Sequence, residues 1–444
     1  MTALEEFRRL AASYDRCFWL DGAGPTGRSV MGALDPDEVS LTYDAVHREV
    51  VEHPSGRVVG DDVFTVLQEL QDGDPDTHWV GYFGYAARPD LPARPMPGVP
   101  DAVWMRCRSL RVVEEPGRVL TRSPRQPPAH STPRWYAEAF AAVQEQLHAG
   151  NTYEVNLTHR TEEPSRLGPV EIYDRMRATN PAPYSGVLRH RDTWLLSSSP
   201  ERFATVDGQR RLETRPIKGT TPRGASEEED DALRRSLSTD ARFRAENLMI
   251  TDLLRNDVST VCEPGSVEVP QLMAVESYAS VHQLVTTVTG RLRPDVGTVD
   301  ALRALFPAGS MTGAPKLRTM QVIDGVEPSP RGVYAGAFGW ISGDGRADLG
   351  VVIRSLFRAG EGPWLLGTGG GITVHSDVDA EWAETQWKAE RLRHALAGVA
   401  GSGSAGLVAQ DLLGGDGGVE SPQQPPAGDR LHHTEDPDHD RHRG

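Results

Sequence analysis

The sequence predicts a mixed α+β fold, and three observations carry that expectation. Strand-like runs follow one another without an intervening helix, three longer segments repeat apolar residues at helical spacing, and nothing alternates in the manner of βαβ units. Strands are expected at 194–197, 202–206, 211–217, 333–341, 348–356 and 364–368. A first helix is expected to open at Thr132-Pro133, as N-cap and first helical residue, and to stop at Gly150; Tyr136, Phe140, Val143 and Leu147 would face inward. A second spans 241–254 with Ala245, Leu248, Met249 and Leu253 inward. A third spans 379–397 with Trp382, Ala389, Leu392 and Leu396 inward.

The 444 residues allow about three domains as a first expectation and suffice to bury a core without disulfides. With 47 Lys+Arg against 63 Asp+Glu the net charge is −16, which argues against nucleic acid or a membrane surface as partner. The same charge means that any anionic ligand needs local cations or a metal. The cysteines, Cys17, Cys107 and Cys262, are three and far apart, which excludes a disulfide framework and fits a reducing cytosol. An acidic start without an apolar stretch predicts no signal peptide, and no run of about 18 apolar residues predicts a membrane span.

Composition divides the chain into residues 1–122, a Pro-rich connector at 123–133, a densely patterned region at 134–398, and a tail at 399–444. The tail, rich in Gly, Ser, Gln, Pro and Asp, is expected to be disordered, since it has too little apolar area to offset its ordering entropy. Its histidines, His432, His433, His439 and His442, could form a metal tract, but a solvated tail explains them with less.

Several constellations could carry chemistry. Glu381, Glu384 and Lys388 share one face of the third helix, opposite Trp382. Two carboxylates one turn apart suit Mg²⁺, although spacing alone fits an ordinary Glu384–Lys388 surface pair better. Glu246 is an acid inside an apolar helix, costly unless paired or metal-bound; a helix-end salt-bridge cluster explains it equally well. Gly369-Gly370-Gly371 follow an apolar run, either as backbone donors to an anion or as a tight turn. Lys218, in Arg215-Pro216-Ile217-Lys218-Gly219-Thr220, is a surface charge in most contexts. Held near other cations, its pKa would fall and it would become a nucleophile. Glu201 would lie on the neighbouring strand across the turn at Asp207-Gly208, as a proton donor if burial keeps it protonated.

Together these motifs resemble the chorismate-using enzymes, the family of anthranilate synthase component I, aminodeoxychorismate synthase component I, isochorismate synthase and salicylate synthase. The matching text includes Tyr153-Glu154-Val155-Asn156-Leu157, Ser199-Pro200-Glu201-Arg202-Phe203 and Arg215 to Thr220. It continues through Ala245-Glu246-Asn247-Leu248-Met249-Ile250, Ser310-Met311-Thr312-Gly313-Ala314-Pro315-Lys316, Arg331 to Gly336, Gly369 to Gly371 and Glu381 to Lys388. The resemblance runs in order from about 134 to 396 and more weakly over 15–122. It implies two packed antiparallel sheets with helices outside, the N-terminal segment contributing to the same unit.

Within that family the aminodeoxychorismate branch reads Pro-Ile-Lys-Gly-Thr, as here, where the anthranilate branch has Ala in place of the lysine. The resemblance therefore implies C4 amination of chorismate, with Lys218 as nucleophile at ring C2 and Glu201 as general acid. It implies Mg²⁺ on Glu246 and Glu384 with Glu381 close by, and Arg354 and Tyr334 on the enolpyruvyl carboxylate. Gly369, Gly370, Gly371 and Thr220, with Gly219 beside the amine, would meet the ring carboxylate; Lys388 and His282 also match active-site positions. No glutaminase elbow is present, so ammonia is expected free or from a separate glutamine amidotransferase subunit, in the cytoplasm. Two departures stand out: Phe243 occupies a place where the family often has an acid, and Gln283 replaces a common second histidine.

Overall fold

The computed structural model describes residues 2–22, 28–115, 131–278 and 281–397. Most of the expected connector and the whole 399–444 tail lie outside the described residues, as do the tail histidines.

Two sheets form the body. The nine-stranded sheet runs Gly313–Ala314, Glu154–Glu163, Trp364–Ile372, Ser355–Ala359, Thr193–Ser199, Tyr184–His190, Arg16–Asp21, Arg28–Ala33, Arg111–Glu114. In the twelve-stranded sheet Ile217–Pro222, Val281–Arg291, Arg211–Arg215, Arg202–Val206, Ala347–Val351, Ala337–Ser342 and His78–Phe83 follow one another, before the remaining N-terminal strands. The pairings that frame the site are antiparallel. Strands from both sides of the connector join both sheets, so the composition shift there does not separate two cores.

The sheets face each other through Phe18, Leu188, Leu195 and Phe357 from one and Val80, Tyr82, Met105 and Phe338 from the other, all buried. Each such side chain contributes about 1.5–3 kcal/mol on burial. Gly186 makes the close approach possible: a Cβ there would lie 2.8 Å from the Phe338 ring. Helices cover the outer faces. Ile172, Leu392 and Ala395 pack on the first sheet, and Ile250, Leu254, Val258 and Leu302 on the second. This is the two-sheet, helices-outside architecture expected.

Local differences from the sequence reading are physically instructive. The first helix is Arg134–His148 with Pro133 as N-cap; the Thr132 hydroxyl, instead of capping, donates to Asp379 at 2.5 Å. Gly150 does end it, at φ +72°. The expected strand 211–217 breaks at Pro216, which has no N–H to give a ladder, into Arg211–Arg215 and Ile217–Pro222. The expected 333–341 strand starts only at Ala337, because 332–335 form turns. The expected 348–356 strand is two strands in different sheets, Ala347–Val351 and Ser355–Ala359, with Arg354 between them at φ +50°.

The second helix, Ala241–Ser259, turns a different face inward from the one expected. Glu246, Asn247, Ile250, Thr251, Leu254 and Val258 are buried, while Leu248 is 54% exposed. The helix packs on Val281–Arg291, where Asn247 Oδ1 accepts from Thr286 at 2.5 Å and its amide donates to the Leu284 carbonyl at 3.4 Å. A polar stripe wins because it has partners on the sheet and, through Glu246, reaches a cavity. The third helix, Val378–Leu396, buries Trp382, Ala389, Leu392 and Leu396 as expected.

Candidate active site

A cavity of about 680 Å³ opens where the two sheets diverge. One wall is the strand Trp364–Ile372. It pairs with Glu154–Glu163 along its whole length but with Ser355–Ala359 only at Leu365 and Leu366. From Gly367 onward one strand edge is therefore left by that neighbour. Gly369, Gly370 and Gly371 are not a tight turn but part of this strand. Their missing side chains make room: a Cβ on Gly370 would sit 3.2 Å from Glu381 Oε2. On Gly371 it would sit 2.3 Å from Glu154 Oε1, and on Gly367 2.2 Å from the Tyr334 ring.

The opposite wall comes from the twelve-stranded sheet. Lys218, Gly219 and Thr220 project from Ile217–Pro222, which stands two strands away from Arg211–Arg215 in sheet order; Lys218 and Glu201 are thus not on neighbouring strands. The bend at Pro216-Ile217 nevertheless brings them to one cavity. Gly219, at φ +92°, has Phe243 and Leu237 where a Cβ would point.

Glu201 is 5% exposed and accepts from the Ser310 hydroxyl at 2.5 Å. Burial pushes its carboxyl up to about 7, against the pull of Ser310, Lys218 and the Ile217 N–H. A group poised there holds a proton near neutrality, as an acid catalyst requires.

Lys218 does not meet the condition under which its pKa would fall, since carboxylates rather than cations surround it. Its ammonium is ion-paired with Glu154, a carboxylate with no solvent exposure. Burial works against the charge, but Glu154, Glu246 and Glu201 outweigh it and hold the amine above its ordinary value. Glu154 was not given a role from sequence. An acid inside the strand run Tyr153-Glu154-Val155 was the available signal, and its partner lies 64 positions away. Glu154 Oε2 is buried and finds no hydrogen bond among the described residues.

The third wall is helix Val378–Leu396. Lys388 bonds Glu384 at 2.7 Å, the surface pair that spacing favoured, but also the Gly369 carbonyl at 2.8 Å, which ties the pair to the cavity. Lys388 draws the Glu384 carboxyl below its usual range. Glu381, 2% exposed, and Glu246, 8% exposed, are both raised, by burial first. Arg242, likewise missed from sequence, lies between them, 2.9 Å from Glu246 Oε1 and 2.5 Å from Glu381 Oε1.

Among the described residues no three His, Cys, Asp or Glu side chains stand together as a ready metal cage. Mg²⁺ needs only one or two carboxylates, completed by waters and substrate oxygens. The donor set of Glu246, Glu381 and Glu384 is all oxygen, and a guanidinium already sits between two of its members; its chemistry fits a hard divalent cation.

Arg354, from the segment crossing between the sheets, and Tyr334, from the turn before Ala337–Ser342, both line the cavity. The only contact recorded for the Arg354 guanidinium among the described residues is the Trp387 ring at 5.7 Å. Burial, then the nearby Arg391, lower its pKa to about 10. Among the described residues no carboxylate is ion-paired with it, although Glu384 is near enough to favour its charge. Burial also raises the Tyr334 hydroxyl.

One predicted residue is elsewhere. His282 is 1% exposed and held on both ring nitrogens, by Ser277 at 2.8 Å and Asp230 at 3.1 Å. Adjacent strand residues point to opposite faces, and it is Gln283 that lines the cavity. His282 is a structural bridge to the Glu227–Thr239 helix rather than a substrate contact.

The family described as chorismate binding enzyme matches residues 113–394. An aminodeoxychorismate synthase of Streptomyces pristinaespiralis is 48% identical over 277 residues, 62% of this chain and 38% of that protein. Aminodeoxychorismate synthase component 1 of Salmonella typhimurium is 41% identical over 283 residues, 62% of each. The chain thus spans less than two thirds of the length of these relatives. Among solved structures, anthranilate synthase component I from Streptococcus pneumoniae superposes with a TM-score of 0.69 at 25% identity, covering 85% of this chain and 92% of that one.

Proposed function

The chain belongs to the chorismate binding enzymes, and on that premise we propose that it aminates chorismate at C4 to give 4-amino-4-deoxychorismate, a precursor of 4-aminobenzoate and so of folate. The observation that carries the reading is the pairing, in one cavity, of a buried lysine with a carboxyl poised near neutrality, Lys218 and Glu201.

In this reading Lys218 rests as an ammonium and must shed a proton, which faces Glu154, before it attacks. Its nitrogen lone pair then forms a bond to ring C2. The displaced π electrons move through the ring diene, and the C4–O bond breaks. Glu201 gives its proton to the departing oxygen, which leaves as water. Ammonia adds at C4 by the reverse electron movement and releases the lysine. The covalent adduct divides one difficult displacement into two easier ones.

Arg354 and Tyr334 take the enolpyruvyl carboxylate, which gives the Arg354 guanidinium an ion-pair partner. The glycine edge at 369–371, with Thr220 and Lys388, faces the ring carboxylate. When bound, Mg²⁺ on Glu246 and Glu384, with Glu381 beside it, supplies the positive charge that a dianion needs in a chain of net charge −16. Residues 134–398 form the chorismate-binding region, and a separate glutamine amidotransferase subunit supplies ammonia in the cytoplasm.

The rival, anthranilate synthase component I, aminates C2 and releases pyruvate; Lys218 stands against it by occupying the C2 approach. Incubation with chorismate, Mg²⁺ and ammonium, with products identified by mass spectrometry, separates the two. Aminodeoxychorismate is expected. Anthranilate with stoichiometric pyruvate would overturn the assignment.

A further inference from the structure

Arg242 sits in the first turn of the Ala241–Ser259 helix, whose N-cap Asp240 accepts from the Arg242 and Phe243 N–H groups. One turn on is Glu246, and across the cavity is Glu381 on the Val378–Leu396 helix. The other cations at this end of the cavity are already engaged: Lys218 with Glu154, Lys388 with Glu384. Arg242 alone, among the described residues, is ion-paired with Glu246 and Glu381, and both carboxylates are almost fully buried. Its own side chain is 38% exposed, so it has solvent to move into.

We propose that Arg242 is a built-in counter-cation of the metal site: it holds Glu246 and Glu381 while no metal is bound, and it must let go of them when a divalent cation enters. The inference rests on the metal reading given above and assigns to Arg242 a role that reading does not contain. The chemistry is a competition. Arg242 Nε bonds Oε1 of Glu246, a carboxylate the metal would take, and Nη2 bonds Oε1 of Glu381 beside it, hard oxygen donors of the kind that Mg²⁺ prefers. A guanidinium and a divalent cation cannot both take the same lone pairs at close range, and their charges repel. Two buried carboxylates left without a direct ion pair would be costly, even with Lys218 and Lys388 nearby, so the arginine stabilises the metal-free chain and weakens metal binding by the same interaction.

The direction of the effect separates this role from mere structural support. Replacing a supporting residue lowers ligand affinity, whereas replacing a competitor raises it. Calorimetric titration of the full chain with Mg²⁺ alone, without chorismate, is the test, on wild type, Arg242→Met and Arg242→Lys. Arg242→Met keeps the apolar stem and removes the charge, and its dissociation constant for Mg²⁺ should fall by up to about fivefold, the scale of a partly exposed ion pair. Arg242→Lys keeps a charge but not the two-pronged fork, and should lie between. The melting temperature without metal should be lower in Arg242→Met, and the gain on adding Mg²⁺ larger. Equal or weaker Mg²⁺ binding by folded Arg242→Met, or by Arg242→Lys should the methionine variant not fold, would overturn the inference while leaving the metal reading intact. No Mg²⁺ binding by any of the three, wild type included, would overturn both.

Discussion

Replacing Ser310 with alanine should move the alkaline limit of turnover upward. Ser310 donates to Glu201 Oε1 at 2.5 Å inside a site where Glu201 is 5% exposed. Burial places the Glu201 carboxyl at about 7, and Ser310 is first among the groups that restrain that rise. A hydrogen bond to a charged group is worth about 1.5–3 kcal/mol, and about 1.4 kcal/mol moves a titration by one pH unit. Ser310→Ala should therefore raise the carboxyl by about one to two pH units. Glu201 acts in its protonated form, so activity is lost as pH rises through its pKa. The wild-type limb should lie near 7 and that of Ser310→Ala near 8 to 9. The assay is the initial rate of aminodeoxychorismate formation against pH, with free ammonia held constant at each point. Glu201→Gln should lose the limb and about 10²-fold or more in rate. An alkaline limb that stays in place, or moves down, in Ser310→Ala would refute the assignment of Glu201 as the acid. Stability follows with a defined sign. The folded carboxyl at about 7 lies above its reference value of 4.5, so the folded chain loses stability as pH climbs between those values, by up to about 3 kcal/mol.

Three further outcomes follow. Arg354→Met should raise the chorismate KM on the order of 10²-fold, the scale of one desolvated charged contact, without lowering the melting temperature, since no ion pair of Arg354 is lost among the described residues. Gly371→Ala places a methyl 2.3 Å from Glu154 Oε1 and 3.2 Å from Lys218 Nζ; turnover should fall about tenfold or more in steady-state assays while the circular dichroism spectrum is kept. Asn247→Ala removes the acceptor for the Thr286 hydroxyl proton and the amide donor to the Leu284 carbonyl and should cost about 1–3 kcal/mol in urea unfolding, whereas Leu248→Ser on the exposed face should stay within about 0.5 kcal/mol.

That last contrast marks where the sequence was legible and where it was not. The Val378–Leu396 helix could be read because its large apolar residues Trp382, Leu392 and Leu396 are all buried, even though Glu381, Thr385 and Gln386 are buried beside them. The Ala241–Ser259 helix could not, because its inward stripe carries Glu246, Asn247 and Thr251, and Asn247 finds its partners on a distant strand. The residues from 348 to 356 read as one strand because strand composition continues through a crossing between two sheets; only tertiary packing places Arg354 at the crossing. The choice between His282 and Gln283 depends on which face of one strand meets the cavity, and a single-residue register is invisible without its neighbours. Lys218, Glu201 and the acidic helix positions were legible because their motifs are local. Glu154, Ser310 and Arg242, which set the charge of those groups, act across long sequence separations.

The central claim is that Lys218 forms a covalent bond to the substrate. Its most direct test is mass spectrometry of the chain quenched after exposure to chorismate and Mg²⁺ without ammonia, with the modified peptide mapped. The account predicts an adduct equal to chorismate less one water on Lys218, absent in Lys218→Ala, whose aminodeoxychorismate turnover should fall about 10²-fold or more while chorismate binding persists. A wild-type chain that turns over with no adduct at Lys218, or a Lys218→Ala variant working at the wild-type rate, would contradict it.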